Sequence, residues 1–88
     1  MKIKKDFILR KMNEMNLVVA VGNAVKEFNG YISLNETGCF LWEKLSTGAS
    51  EKDLIDALLA EYDVSEEIAT KDVKTFIDTL DKNNLLEK

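Results

Sequence analysis

A chain of 88 residues is long enough for one domain with a single modest core, and 45% apolar with 32% charged residues is the composition of an ordinary globular protein. One cysteine and no histidine exclude an internal disulfide and remove the usual partner of a nucleophilic cysteine and the commonest transition-metal ligand. The net charge of −4 is uneven: residues 1–12 carry five basic groups against one acidic, and the rest carries seven against fifteen.

The start, MKIKKDFILRKM, has lysines but no apolar stretch of a secretory signal, and nothing approaches the ~20 apolar residues of a membrane span. The expectation is a cytoplasmic chain with no membrane partner. Asp6–Met12 reads as a strand, Asn13-Glu14 as a polar turn, and the β-branched run Met15–Gly22 as a second strand, together an antiparallel hairpin. Asn23–Gly30 is a connector: a helical turn, or a strand arm ending in an Asn29-Gly30 type I′ turn. The first fits better, because Ala24, Val25 and Phe28 do not alternate. Tyr31–Leu34 is the third strand.

The period then changes. From Asn35, a good N-cap, the apolar residues fall at helical spacing, with Leu41, Trp42 and Leu45 on one face. STGAS breaks this helix. Ser50 and Asp53 resemble a capping box for a second, with Leu54, Ala57, Leu58 and Tyr62 as its apolar face. Ser65 caps a third, with Glu66 and Glu67 at the positive end of its dipole and Ala69, Val73, Phe76, Ile77 and Leu80 as its stripe. Leu85 and Leu86 dock a short tail. Three strands followed by three helices give an α+β fold, a three-stranded antiparallel sheet and a winged-helix-like unit over 1–88 as a single domain.

The chemistry-bearing residues read as structural. Trp42 sits at core spacing, Cys39 lies inside the same helix without a base, and the acidic residues are interleaved with lysines as a solvated helix surface. No metal-ligand spacing and no glycine-rich phosphate loop occur, so neither catalysis nor a cofactor is expected. The second and third helices resemble a helix-turn-helix. However, Glu66–Lys82 carries five acidic and three basic residues, and a phosphate backbone repels such a helix. A winged-helix DNA-binding regulator is therefore the alternative reading, and no nucleic-acid partner is expected. What remains is the third strand, whose outer side is an open edge able to accept another strand.

The ordered series LNETGCFLWEKL (Leu34–Leu45) and LLAEYDVSEEIATKDVKTFIDTLDKNNLLE (Leu58–Glu87), with VVAVG before it, resembles the PqqD family, coenzyme PQQ synthesis protein D and its relatives. The resemblance implies a RiPP recognition element that does no chemistry itself. Such a domain binds the leader of a ribosomally made precursor peptide as a strand beside the third strand and against the third helix. It presents the precursor to a modifying enzyme, often a radical SAM protein with a SPASM domain. By position, the docking residues would be Gly30, Tyr31, Ile32, Ser33 and Leu34, with Ala69, Lys71, Val73, Lys74, Ile77 and Asp78 on the helix wall. Asn35, Glu36, Thr37, Gly38 and Trp42 would seat the first helix. Proline at Ile32 or Ser33 is expected to abolish binding, and the state is monomer or edge-paired dimer.

Overall fold

A computed structural model of the chain describes residues 1–26, 28 and 30–87. In chain order the elements are β1 (Lys2–Ile3), β2 (Phe7–Met12), β3 (Met15–Ala20), a 3-10 turn (Gly22–Lys26) and β4 (Ile32–Leu34). The helices α1 (Glu36–Ser46), α2 (Glu51–Glu61) and α3 (Glu66–Lys82) follow, and β5 (Leu86–Glu87) ends the chain. The main sheet is antiparallel in the order β2-β3-β4. The α+β fold expected from the sequence is the observed one.

Asn13 and Glu14 both have positive φ, 50° and 67°. That is the type I′ geometry whose twist matches the flanking strands. The hairpin runs in unbroken register from Met12–Met15 to Phe7–Ala20. Its inward face carries Phe7, Leu9, Val18 and Ala20, which join the core with Leu41, Trp42 and Leu45 of α1, Leu54 and Leu58 of α2, and Val73, Phe76 and Leu80 of α3. Alternation with period 2 meets spacing of 3.6, so one face of the sheet is closed by helices.

Each helix begins where its cap residue stands. The Asn35 carboxamide oxygen accepts from the Gly38 N–H at 2.7 Å, and Ser65 Oγ accepts from the Ile68 N–H at 3.2 Å. At α2 the box is reciprocal: Ser50 Oγ accepts from the Asp53 N–H at 3.0 Å, and Asp53 accepts from the Ser50 N–H at 3.0 Å. The bond from the Ser50 backbone, then that from its side chain, holds the Asp53 carboxyl below its ordinary pKa. A depressed carboxyl pKa means the folded state binds fewer protons than the unfolded chain. The contribution is complete above the ordinary value and is lost as pH falls through the folded one. Asp53→Asn is expected to lower Tm at pH 7, with the gap to the parent closing as pH falls below about 4. A gap unchanged at pH 2.5 in thermal melts would remove the charged cap from the account.

Beyond shifts at the hairpin ends, where the strands start at Phe7 rather than Asp6 and stop at Ala20 rather than Gly22, two features of the sheets differ from the sequence reading. The third strand begins at Ile32 rather than Tyr31, because Gly30 takes φ +109° and bends the chain just before it. The connector is the 3-10 turn. The alternative Asn29-Gly30 turn falls partly on Asn29, outside the described residues. The second difference is a two-stranded ribbon, Lys2–Glu87 and Ile3–Leu86, which ties the two ends of the chain together and buries Ile3, Leu85 and Leu86. Two-residue strands have no readable period, and this pairing joins residues at opposite ends of the sequence.

Candidate functional site at the open sheet edge

The backbone alternation decides which atoms face out of β4. A two-residue turn closes on a pair that exchanges both backbone hydrogen bonds, here Met12 and Met15. Arg10–Leu17 and Ile8–Val19 follow as bonded pairs, and the 2.8 Å bond from the Val21 N–H to Asp6 O continues the series. In β3 the peptide groups of Asn16 and Val18 therefore turn toward β4. Their partners Leu34 and Ile32 are the bonded residues of that strand. Ser33 is left with its N–H and C=O directed away from the sheet, at the unpaired edge.

Beside this edge runs a groove of about 470 Å³ between β4 and α3. Its floor is apolar, made by Ile32, Leu34, Leu41, Phe76 and Leu80. One rim is Ser33, Asn35, Thr37 and Gly38. The other is Lys71, Asp72, Thr75 and Thr79 of α3. The Thr79 hydroxyl donates to Thr75 O at 2.9 Å, so its hydrogen is committed to the helix backbone. Lys71 and Asp72 set opposite charges side by side toward the N-terminal end of α3, and among the described residues neither forms an ion pair.

The strand-to-helix joint fixes the near rim. Gly38 is buried, and a Cβ there would lie 3.2 Å from Asn35 Oδ1 and 3.2 Å from Leu34 Cβ. The first turn of α1 therefore lies directly on the end of β4, and the Asn35 cap locks the two together. The joint holds a three-residue strand in place while its outer side stays open.

The structure brings Ile32, Ser33, Leu34 and Lys71 to the groove. Gly30 and Tyr31 stand just before the strand, with Tyr31 60% exposed. Ala69 and Val73 are fully buried in the core, and Ile77 packs against it from the side. Lys74 and Asp78 are exposed and line no part of the groove, and Asp78 pairs with Lys82 at 3.1 Å. At about 100° per residue, Asp72, Thr75 and Thr79 lie on one flank of the buried stripe and Ile77 on the other. Sequence reasoning missed Asp72, Thr75, Phe76, Thr79 and Leu80 as lining residues. The stripe shows which face of the helix is buried, but not which flank meets the sheet edge.

Cys39 is half-buried, and its thiol pKa is raised by desolvation first and then by Glu43, with Lys11 opposing. A raised thiol pKa leaves little thiolate at neutral pH, so the environment does not activate it. No helix is long and apolar enough to cross a membrane, and no cluster of three metal-ligating side chains occurs, both among the described residues.

A three-stranded antiparallel sheet with an open edge, facing a helix across an apolar-floored groove, defines a small α+β domain. The chain belongs to the PqqD family: the family model described as coenzyme PQQ synthesis protein D (PqqD) matches residues 12–86. Two solved structures share its fold. One, described as TbiB1 in complex with the TbiA(beta) leader peptide, is 24% identical with a TM-score of 0.77, and the alignment covers 99% of this chain and 95% of that one. The other, a lasso peptide synthetase B1 complexed with the leader peptide, is 20% identical with a TM-score of 0.75, covering 99% and 96%. No curated protein matches the chain.

Proposed function

We propose that this chain is a non-catalytic recognition domain, formed by residues 1–88 as a whole. It binds the leader of a ribosomally synthesised precursor peptide by strand addition at β4. It then presents the peptide to a modifying enzyme, a radical SAM/SPASM maturase. The observation that carries this reading is the outward peptide group of Ser33 beside an apolar-floored groove. Backbone bonds to the edge supply affinity for an extended peptide, and alternate side chains dropping into the groove supply selectivity. Family membership and the leader-bound state of both structural neighbours support it.

The test is an NMR titration of the labelled chain with the leader of a precursor peptide encoded beside its gene, with random duplex DNA as control. Shifts concentrated on residues 32–34, Lys71, Asp72, Thr75 and Thr79, with peptide alone, are the expected result. Shifts with DNA alone would replace the recognition domain by a winged-helix regulator.

A groove-filling substitution checks the location. Thr75 is exposed and lines the groove, whereas Lys74, one residue earlier, is exposed and does not. Thr75→Trp is expected to weaken leader binding at least ~10-fold, equivalent to about 1.4 kcal/mol, with Tm nearly unchanged. Lys74→Trp is expected to leave affinity alone. Equal affinities of the two variants by calorimetry would move the peptide elsewhere.

A further inference from the structure

The main sheet has two edges, and the longer one is not beside the groove. β2 spans six residues against three in β4, and among the described residues no strand pairs with its outer side. The alternation that turns Ser33 outward acts here too. Ile8, Arg10 and Met12 form the bonded pairs with Val19, Leu17 and Met15, so Phe7, Leu9 and Lys11 direct their peptide groups away from β3. The Phe7 N–H donates to Lys4 O at 3.3 Å, which sets the turn over residues 4–7 against the start of this edge. Beyond the turn, Leu9 and Lys11 present N–H and C=O groups that bond nothing among the described residues. Such a stretch is a template for another copy of the same chain.

Two-fold antiparallel pairing of this stretch has one workable register. The turn stops a second strand from running past Phe7, and Asn13 leaves the strand with φ 50°. Residues 8–12 then pair with themselves, and both bonded pairs join Leu9 of one copy to Lys11 of the other. Ile8 meets Met12 on either side of the axis, an apolar match repeated by the symmetry. At the axis itself Arg10 meets Arg10. That pair is the non-bonded kind, with Cα atoms about 4.5 Å apart, where like charges oppose the ladder directly. Lys11 adds to this. It lies on the helix side of β2 with Phe7 and Leu9, an inward-facing ammonium that a neighbouring strand would desolvate. Arg10 and Lys11 are both exposed, and among the described residues neither forms an ion pair that neutralises it. By contrast β4, Ile32-Ser33-Leu34, carries no charge.

We infer that Arg10, with Lys11 beside it, keeps two copies of the chain from joining through their β2 edges, so that strand addition is left to β4. The use of β4 rests on the proposed function, whereas the closure of β2 does not. One sheet thus has a long edge shut by charge and a short edge left open beside a groove.

The experiment compares the full chain with two double variants by sedimentation equilibrium, with Tm followed in each. Arg10→Thr/Lys11→Val removes both charges and keeps every ladder group. Arg10→Thr/Lys11→Pro removes the same charges but also the outward N–H at position 11, an edge position where proline is tolerated. The first variant is expected to self-associate at least tenfold more tightly than the parent, with the amides at positions 9 and 11 newly protected from hydrogen exchange. The second is expected to behave as the parent. A first variant that associates no more tightly than the parent overturns the inference. So does equal association of the two variants, or association that leaves both amides unprotected. A parent that already pairs with these amides protected overturns it as well. Where Lys11→Pro lowers Tm, amide exchange in the first variant decides alone. Leader titration of the parent, made separately, judges the proposed function.

Discussion

Ser33→Pro is expected to weaken leader binding severely in a protein that still folds, whereas Ile32→Pro is expected to unfold or strongly destabilise it. The two positions are adjacent but their peptide groups face opposite ways. The Ile32 N–H belongs to the ladder with Val18, so proline there breaks the sheet at a strand only three residues long. The Ser33 N–H is directed out of the sheet and bonds nothing within it, and proline is tolerated at such an edge position. An incoming strand loses that donor and meets the pyrrolidine ring. One missing backbone bond together with the steric block is expected to weaken binding by roughly 10- to 100-fold or more. Thermal melts and calorimetric titration of both variants separate the two effects. A folded Ser33→Pro protein with parental affinity would falsify strand addition at β4.

The largest effect on stability is expected at Trp42. Its side chain is 5% exposed, held in the core beside Leu41 and Leu45, and its carbonyl accepts from Ser46 Oγ at 2.8 Å. Removing an indole from a close-packed core costs about 3–5 kcal/mol, through lost transfer energy and the cavity left behind. A domain of this size has roughly 5–15 kcal/mol in total. Trp42→Ala is therefore expected to lose roughly a fifth or more of the stability and to unfold at much lower urea. Trp42→Phe keeps most of the buried area and should lose less than half as much. A Trp42→Ala midpoint within 0.3 M of the parent's, with unchanged m-value, would mean that the indole is not part of the cooperative core.

Much of this molecule is written in local pattern. The hairpin follows from two strand-like runs, the second rich in β-branched residues, around Asn13-Glu14. The helix starts follow from Asn35, Ser50 and Ser65, each of which caps in the structure as its side chain predicts. The buried stripe of α3 follows from the 3.6 period, and Ala69, Val73, Phe76 and Leu80 are all buried. Ile55 and Leu59 also join the core, although the spacing assigned to α2 favoured Ala57. That helix buries more than one narrow stripe because both α1 and α3 flank it.

The candidate site is less legible. The edge strand was readable because its sequence alternates, whereas the docking residues were assigned only through the family resemblance, and of these Ile32, Ser33, Leu34 and Lys71 line the groove. The far rim was not readable. Asp72, Thr75 and Thr79 differ from Lys74 in which flank of one helix they occupy, whereas Lys71 and Asp78, seven residues apart, share a face and differ in height along it. Propensity and periodicity act within a segment, through backbone hydrogen bonds, caps and the burial of one face. The sequence by itself therefore determined the elements, their ends and the residues each must bury. The flank of α3 that meets β4, the side of Ser33 that is left unpaired and the joining of Lys2–Ile3 to Leu86–Glu87 are relations between segments distant in the chain. They are settled only when the helices pack across one face of the sheet, because crossing geometry and ladder register exist only between elements.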